Sequence, residues 1–309
     1  MLAPMNSSST PQSIESLITS GVATLRSAAE LHMSKNTEGY RTAIQKGCQV
    51  VHHLTEHPDV SGSAEHLHHF KEIRAILETL SSRPEADVLR VITLALENVL
   101  SALTEIKEST LSESKGTRTQ LLKRFVQEFR YTSYLEIGCN DDSNFNQIQL
   151  PTKVGVDPTR GGTVRTTSDS FFATNHQRFD LIFIDGLHHA DQVDRDVANA
   201  VRCLRQNGTI VLHDCNPRFE VRQVIPFFAG VWNGDVWKAA VRLRANPDLD
   251  VRVGDFDHGC AVVRIRPNSD QLTNLPSDLA YADLDRNRER WLRLTPFNEL
   301  VEWAVTQKR

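Results

Sequence analysis

The segment FDLIFIDGLHHADQVDRDVANAVRCLRQNGTIVLHDCNP, Phe179–Pro217, decides the fold. It opens with Leu181-Ile182-Phe183-Ile184, an unbroken apolar run that stops at Asp185-Gly186, which is the pattern of a strand buried on both faces. Val193, Val197, Val201 and Leu204 then recur at helical spacing, with Asp191, Asp194, Arg195, Asp196 and Arg202 on the opposite face and Asn207-Gly208 as the stop. Thr209–Leu212 is a second apolar run, closed by His213-Asp214 and a Cys-Asn-Pro turn. Strand, helix and strand in this order make a right-handed crossover, so both strands end at the same edge of a parallel sheet. That edge carries Asp185, His188, His189, His213 and Asp214, where open α/β sheets bind their ligands.

Upstream, Leu121, Leu122, Phe125, Val126 and Phe129 make an apolar stripe on a helix over Arg118–Phe129. A strand follows, Tyr131–Gly138, and its terminal glycine lets the backbone approach a ligand closely. Asn140, Asp141 and Asp142 then lie beside Glu136. Carboxylates repel a pyrophosphate and suit a ligand with an ammonium, a sulfonium and ribose hydroxyls. Lys153–Asp157 is a second strand ending in an acid, the placement that grips a ribose diol. Each of these residues has a plainer reading as well: Asp141 or Asp142 as a helix cap, Asp157-Pro158 as the start of a turn.

Leu135–Gly138, Val154–Asp157, Phe179–Gly186 and Gly208–Asp214 resemble the successive motifs of class I S-adenosylmethionine-dependent methyltransferases, over Thr117 to the C-terminus. Within that class the pattern is most similar to metal-dependent O-methyltransferases acting on sugars of macrolides and related natural products. The resemblance implies a Rossmann-like α/β fold, a seven-stranded sheet that is mostly parallel with the last strand antiparallel. It implies S-adenosylmethionine bound at Glu136, Gly138, Asn140, Asp141, Asp157 and Asp185, with Ser168 and Asp169 beside the adenine, where either residue is equally able to cap a helix over Ser170–Asn175. His188 falls where the branch places its general base, and His189 is the second choice. The chain departs from the branch in carrying one glycine in its first loop and His213-Asp214 where two carboxylates are usual.

The residues read by themselves agree. Asp185, His213 and Asp214 come from neighbouring strand ends and together offer two oxygens and a nitrogen to a divalent cation. Mg²⁺ is the default for oxygen donors, and the imidazole tilts the choice toward Mn²⁺ or Fe²⁺. A histidine at 188 has the ordinary pKa to take a hydroxyl proton near neutrality. The expected activity is O-methylation of a sugar, glycoside or other small natural product. A non-catalytic methyltransferase-like scaffold is the alternative, and an NAD-dependent oxidoreductase a more distant one, because the Gly138 loop lacks a dinucleotide glycine fingerprint.

Beyond the fifth strand, Trp232 and Trp237 lie in a long excursion, Phe219–Val241, that reads as a substrate lid or as core anchors. Asp250–Val253 and Cys260–Ile265 read as the last two strands, and Tyr281–Val305 as outer helices. Before residue 117, Ile14–Leu31, Tyr40–Leu54, Phe70–Leu80 and Ala86–Ile106 carry helical spacing, strongest over Val88–Ile106. We expect a small all-α domain over 1–116, serving dimerisation or closure over the substrate, and the methyltransferase domain over 117–309. His52, His53, His57, His66, His68 and His69 crowd one stretch and read either as a metal site or, preferably, as solvated side chains.

The chain has 309 residues, 39% of them hydrophobic, and a net charge of -4, with no basic run interleaved with aromatics. Nucleic acid is therefore not an expected partner. Five scattered cysteines without metal spacing favour a reducing compartment, and no stretch approaches the roughly 20 apolar residues of a membrane span. The expectation is a cytoplasmic homo-oligomer acting on a small-molecule acceptor, with no membrane partner.

Overall fold

The computed structural model describes residues 14–33, 36–56, 116–228 and 230–306, together with 74, 78, 90, 92–94, 96–98 and 101. The chain divides into two compact units, Met1–Glu105 and Ile106–Arg309.

In the first unit, α1 (Ile14–Met33) packs along α2 (Thr37–Glu56). Leu17, Ile18, Val22 and Leu25 are buried from α1, and Tyr40, Ile44, Val51 and Leu54 from α2. Positions 90, 92–94, 96–98 and 101 are helical, and Ile92 and Leu96 of the expected apolar stripe are buried. Arg26 pairs with the buried Glu97. Of the histidine cluster, His52 lies 3.5 Å from Glu56, and Arg74 is within 3.3 Å of its other ring nitrogen. His57, His66, His68 and His69 lie outside the described residues, as does the expected linker over 108–115.

The second unit is a seven-stranded sheet with helices on both faces. Its described elements are α3 (Arg118–Phe129), β1 (Ser133–Ile137), β2 (Thr152–Val156), α4 (Ser168–Thr174), β3 (Phe179–Ile184), α5 (Ala190–Cys203), β4 (Leu204–Leu212), α6 (Val236–Arg244), β5 (Leu249–Gly254), β6 (Cys260–Ile265), α7 (Tyr281–Leu292), β7 (Leu294–Thr295) and α8 (Phe297–Val305). The strand order is β2-β1-β3-β4-β6-β5-β7. Only β6 runs against the others, pairing antiparallel with both β4 and β5.

Every residue from Leu181 to Ile184 is buried because the strand lies mid-sheet with a core on either face. One core takes Ile182 and Ile184 with Val193, Val197 and Trp237. The other takes Leu181 and Phe183 with Leu121, Phe125 and Leu300. Burying four such side chains contributes roughly 1.5–3 kcal/mol each, enough to fix this strand at the centre.

Four details differ from the sequence reading. The short third strand reduces to a single bridge, Val156 to Val164, and the seventh place is filled by Leu294–Thr295 within the expected helical tail. The crossover helix ends at Cys203, before Asn207-Gly208, because the buried Leu204 already pairs with Phe179 in the sheet. Asn207, at φ 63, makes its turn inside β4. The cap of α4 is Thr167, whose hydroxyl accepts from Ser170 N at 3.3 Å, and not Ser168 or Asp169.

Candidate active site

The strand ends that carry the site are tied to one another by continuing the sheet's hydrogen bonds one residue further. Gly138 N donates to Val156 O at 2.9 Å, Asp185 N to Ile137 O at 2.8 Å and His213 N to Ile184 O at 3.1 Å. Gly138 has φ +86, and a Cβ there would overlap the carbonyl oxygen of Asp185. The residue must therefore be glycine for the first and third strand ends to touch.

A cavity of about 540 Å³ opens at this edge. Its walls include Gly138, Asn140, Asp157, Thr159, Ser168, Asp169, Asp185, Leu187 and His188; among the described residues no lysine or arginine lines it, and Arg165 Nη1 stands behind the wall, 3.7 Å from Asp157 Oδ1. Asp157 is nearly buried and fixes the floor: Oδ1 accepts from Thr159 N, Thr159 Oγ1 and Arg160 N at 2.8–2.9 Å, and Oδ2 accepts from Asn140 N at 3.0 Å. Burial works to raise its pKa, but these donors outweigh it and hold the carboxyl below the usual range. Oδ2 keeps a free lone pair for a ligand hydroxyl. Ser168 and Asp169 are steadied by Gln192, whose Nε2 lies 3.1 Å from Ser168 Oγ and from Asp169 Oδ1.

Two residues expected to hold cofactor stand away from this cavity. Glu136 alternates with Ile137 along β1 and so shares the opposite face with Tyr134. There it accepts from Tyr134 Oη at 2.5 Å and Asn144 Nδ2 at 3.0 Å, and burial pushes its carboxyl up to about 7. Asp141 is exposed and turns back to accept from Ser143 N at 3.0 Å, closing its own loop.

At the other end of the cavity, acids and imidazoles alternate. His188 Nε2 lies 3.4 Å from both Asp185 Oδ1 and Asp214 Oδ2, and His213 Nδ1 lies 3.2 Å and 3.1 Å from the same two oxygens. One atom each of Asp185, His213 and Asp214 falls within 4.8 Å of the others. Burial disfavours charge on Asp185, His188 and His213, yet the histidines hold Asp185 well below the usual carboxylate range, and the carboxylates raise both imidazoles, His213 most. His188 Nδ1 is 3.2 Å from the carbonyl oxygen of Trp232, and the two rings stack at 5.3 Å. His189 takes no part: it is the N-cap residue of α5 and meets Trp232 edge-on.

Sequence reasoning missed two participants here. Asp257 Oδ1 approaches His213 Nε2 at 3.3 Å, and Arg118 Nη1 lies 2.8 Å from the same nitrogen. Arg118 N also donates to Asp257 Oδ2 at 2.6 Å, so the first turn of α3 is tied to the β5–β6 hairpin. Asp257, His258 and Gly259 all have positive φ, a backbone path that sends Asp257 back into the site. His213, Asp257 and Cys260 form a second cluster of donor geometry, but the Arg118 guanidinium already supplies its positive charge.

The family model that matches is described as a methyltransferase domain and covers residues 114–215, about a third of the chain. The matched residues run from α3 to the end of β4 and include Asp157, Asp185, His188, His213 and Asp214, so the likeness falls on the part of the α/β unit that carries the candidate site. Among solved structures, the chain is similar to an O-methyltransferase from Bacillus cereus in complex with S-adenosylhomocysteine, at 12% identity, TM-score 0.35, covering 53% of this chain and 88% of that one. It is similar also to an S-adenosylhomocysteine-bound methyltransferase from Podospora anserina, at 15% identity, TM-score 0.36, covering 63% and 87%. A third is the MycE methyltransferase of the mycinamycin biosynthetic pathway in complex with Mg and S-adenosylhomocysteine, at 16% identity, TM-score 0.34, covering 68% and 67%. Likenesses this distant do not bear on what this chain acts on. No curated protein matches in sequence. Among the described residues, no helix is long and apolar enough to cross a membrane.

Proposed function

We propose that the α/β unit methylates a hydroxyl of a small molecule, with His188 as the base and Asp185, His213 and Asp214 as the seat of a divalent cation. One juxtaposition supports this reading: an acid-walled cavity with no lysine or arginine among its described lining residues, ending at an imidazole held between two carboxylates.

The cavity residues fit S-adenosylmethionine by charge. Asp157, Asp169 and Asp185 suit its ammonium and sulfonium, and the free lone pair of Asp157 Oδ2 suits a ribose hydroxyl. When bound, the cofactor supplies a methyl group on a sulfonium that departs as a neutral thioether. The chain's own task is therefore alignment, worth up to about 7–11 kcal/mol in favourable cases, and proton removal, worth on the order of a hundredfold to ten-thousandfold. Trp232 O accepts from His188 Nδ1, which leaves Nε2 as the atom to receive a proton. Asp185 and Asp214, each 3.4 Å from Nε2, stabilise the imidazolium that results.

The donor set fits a cation as well. His213 can offer Nδ1 while its Nε2 faces Asp257, the carboxylate-histidine arrangement common behind bound metals. A cation at Asp185, His213 and Asp214 would lower the pKa of a coordinated hydroxyl. Mg²⁺, Mn²⁺ and Fe²⁺ all suit these ligands.

A second, metal-free reading has its own support. Arg118 and His213 already set positive charge against Asp185, Asp214 and Asp257, so a neutral His188 is able to work as the base without a cation. Isothermal titration with S-adenosylmethionine, followed by transfer of a labelled methyl group to a panel of hydroxylated acceptors with and without EDTA, tests both. Absence of cofactor binding overturns the proposal and leaves a scaffold role, and full EDTA-resistant activity removes the cation alone.

A further inference from the structure

Four consecutive residues, Trp232-Asn-Gly-Asp235, each engage a different part of the site. Trp232 stacks on His188 with a 28° angle between the rings and takes a hydrogen bond from His188 Nδ1. Asn233 is fully buried and donates Nδ2 to Asp214 Oδ1 at 2.7 Å. Gly234 has φ +59, and a Cβ there would overlap the carbonyl oxygen of His188. Asp235 Oδ1 accepts from Ala190 N at 2.7 Å, at the start of the helix that follows His188. The segment is anchored from behind: Arg222 O accepts from Asn233 N and Gly234 N at 2.8 and 3.1 Å, and the indole of Trp232 donates to Val224 O at 2.8 Å.

We propose that Trp232–Asp235 is a fixed clamp that sets the base and the acidic donor against each other, with Asn233 as the positioning residue for Asp214. This inference rests on the proposed methyltransferase site and assigns it a part that the sequence reading took for a substrate lid or for core anchors. Asp214 has two carboxylate oxygens and a left-handed backbone, φ +60. The Asn233 amide occupies Oδ1, so Oδ2 is the oxygen that meets both His213 Nδ1 and His188 Nε2. Rotation of the carboxylate would break a hydrogen bond that no water can replace at a fully buried amide. The other atom of that amide, Asn233 Oδ1, is buried without a hydrogen-bond partner among the described residues. Buried polar atoms are rarely left so, and an apolar residue of the same size would leave none. What asparagine provides here that leucine does not is the donor to Asp214.

The test uses the full chain, with Asn233→Leu to keep the volume and remove the donor. Three quantities are read: Mn²⁺ affinity by electron paramagnetic resonance, S-adenosylmethionine affinity by calorimetry, and the ring ¹⁵N resonances of the histidines. The clamp predicts a Mn²⁺ dissociation constant raised about 10- to 100-fold, the range for losing a group that orients a metal ligand. It predicts cofactor affinity within about twofold of the parent, because the clamp hydrogen-bonds to none of the Asp157 side of the cavity, and displaced resonances for both His188 and His213. A parent protein that binds no Mn²⁺ overturns the cation part of the proposed function, and the clamp is then decided by the resonances alone. Unmoved resonances overturn the clamp, as does a parallel fall in Mn²⁺ and cofactor affinity with loss of the folded signal, which marks a packing role. If Asn233→Leu does not fold, Trp232→Leu serves instead. It must displace the His188 resonance and leave that of His213 in place, and any other result overturns the clamp.

Discussion

Replacing Glu136 by glutamine should stabilise the α/β unit at alkaline pH and have little effect in acid. The side chain is 1% exposed, and burial raises its carboxyl from 4.5 to about 7. The folded protein therefore holds this proton more tightly than the unfolded chain. The associated stability is complete below pH 4.5, falls between 4.5 and 7, and is absent above that. At 1.36 kcal/mol per pH unit, that difference of 7 less 4.5 amounts to about 3 kcal/mol of destabilisation at pH 8.5. Glutamine keeps an oxygen for the Tyr134 hydroxyl and the Asn144 amide and carries no charge. If its new N–H₂ lacks a partner, about 1 kcal/mol is given back, leaving a net gain of about 2 kcal/mol. All four tryptophans, Trp232, Trp237, Trp291 and Trp303, belong to the α/β unit, so tryptophan emission during urea unfolding reports this unit alone. Measured at pH 5 and pH 8.5, the variant should match the parent at the first and exceed it at the second. An equal change at both, or a loss at pH 8.5, would refute the reasoning.

Asp157→Ala should weaken S-adenosylmethionine binding at least about tenfold by calorimetry, since a hydrogen bond to a charged group contributes roughly 1.5–3 kcal/mol; unchanged affinity in a folded variant removes Asp157 from the cofactor site. Gly138→Ala places a side chain at φ +86 against the Asp185 carbonyl, so unfolding by urea should show a loss of about 2 kcal/mol or more. The carboxylates raise the pKa of His188, and a base acts only when unprotonated, so methyl transfer should rise with pH through a midpoint above 6.5. Asp214→Asn should move that midpoint down, and His188→Gln should lower the rate about a hundredfold to ten-thousandfold and flatten the profile; a profile that His188→Gln leaves intact assigns the proton to another group.

Much of the edge that carries chemistry was legible because strands buried on both faces announce themselves. Leu181–Ile184 and Thr209–Leu212 are apolar runs with no other use, and the residues that end them, Asp185 and His213-Asp214, had to meet at one edge. What remained hidden depends on backbone angles and on side-chain direction. Glu136 read as a cavity residue because of its place beside Gly138, but strand alternation sends it to the face of Tyr134. Asp257 reaches His213 through two non-glycine residues with positive φ, which no composition signals. Arg118 looked like the first residue of an amphipathic helix, and its role depends on which hairpin that helix end abuts. Thr167 displaced Ser168 and Asp169 as the cap by a shift of one or two residues, the scale at which propensity loses resolution.

The abutment of Gly138 on the carbonyl of Asp185 joins two loops to which the proposed function gives different ligands, one walling the cavity proposed for the cofactor and one ending the strand whose carboxylate is proposed for the cation. Asp185 N is bonded in turn to Ile137 O, so neither loop is able to shift while the other stays. In thermodynamic terms the two occupancies share a coupling free energy, and coupling of this kind is reciprocal. Whatever factor the cation adds to cofactor affinity, the cofactor must return to the cation, through a joint only one backbone thick.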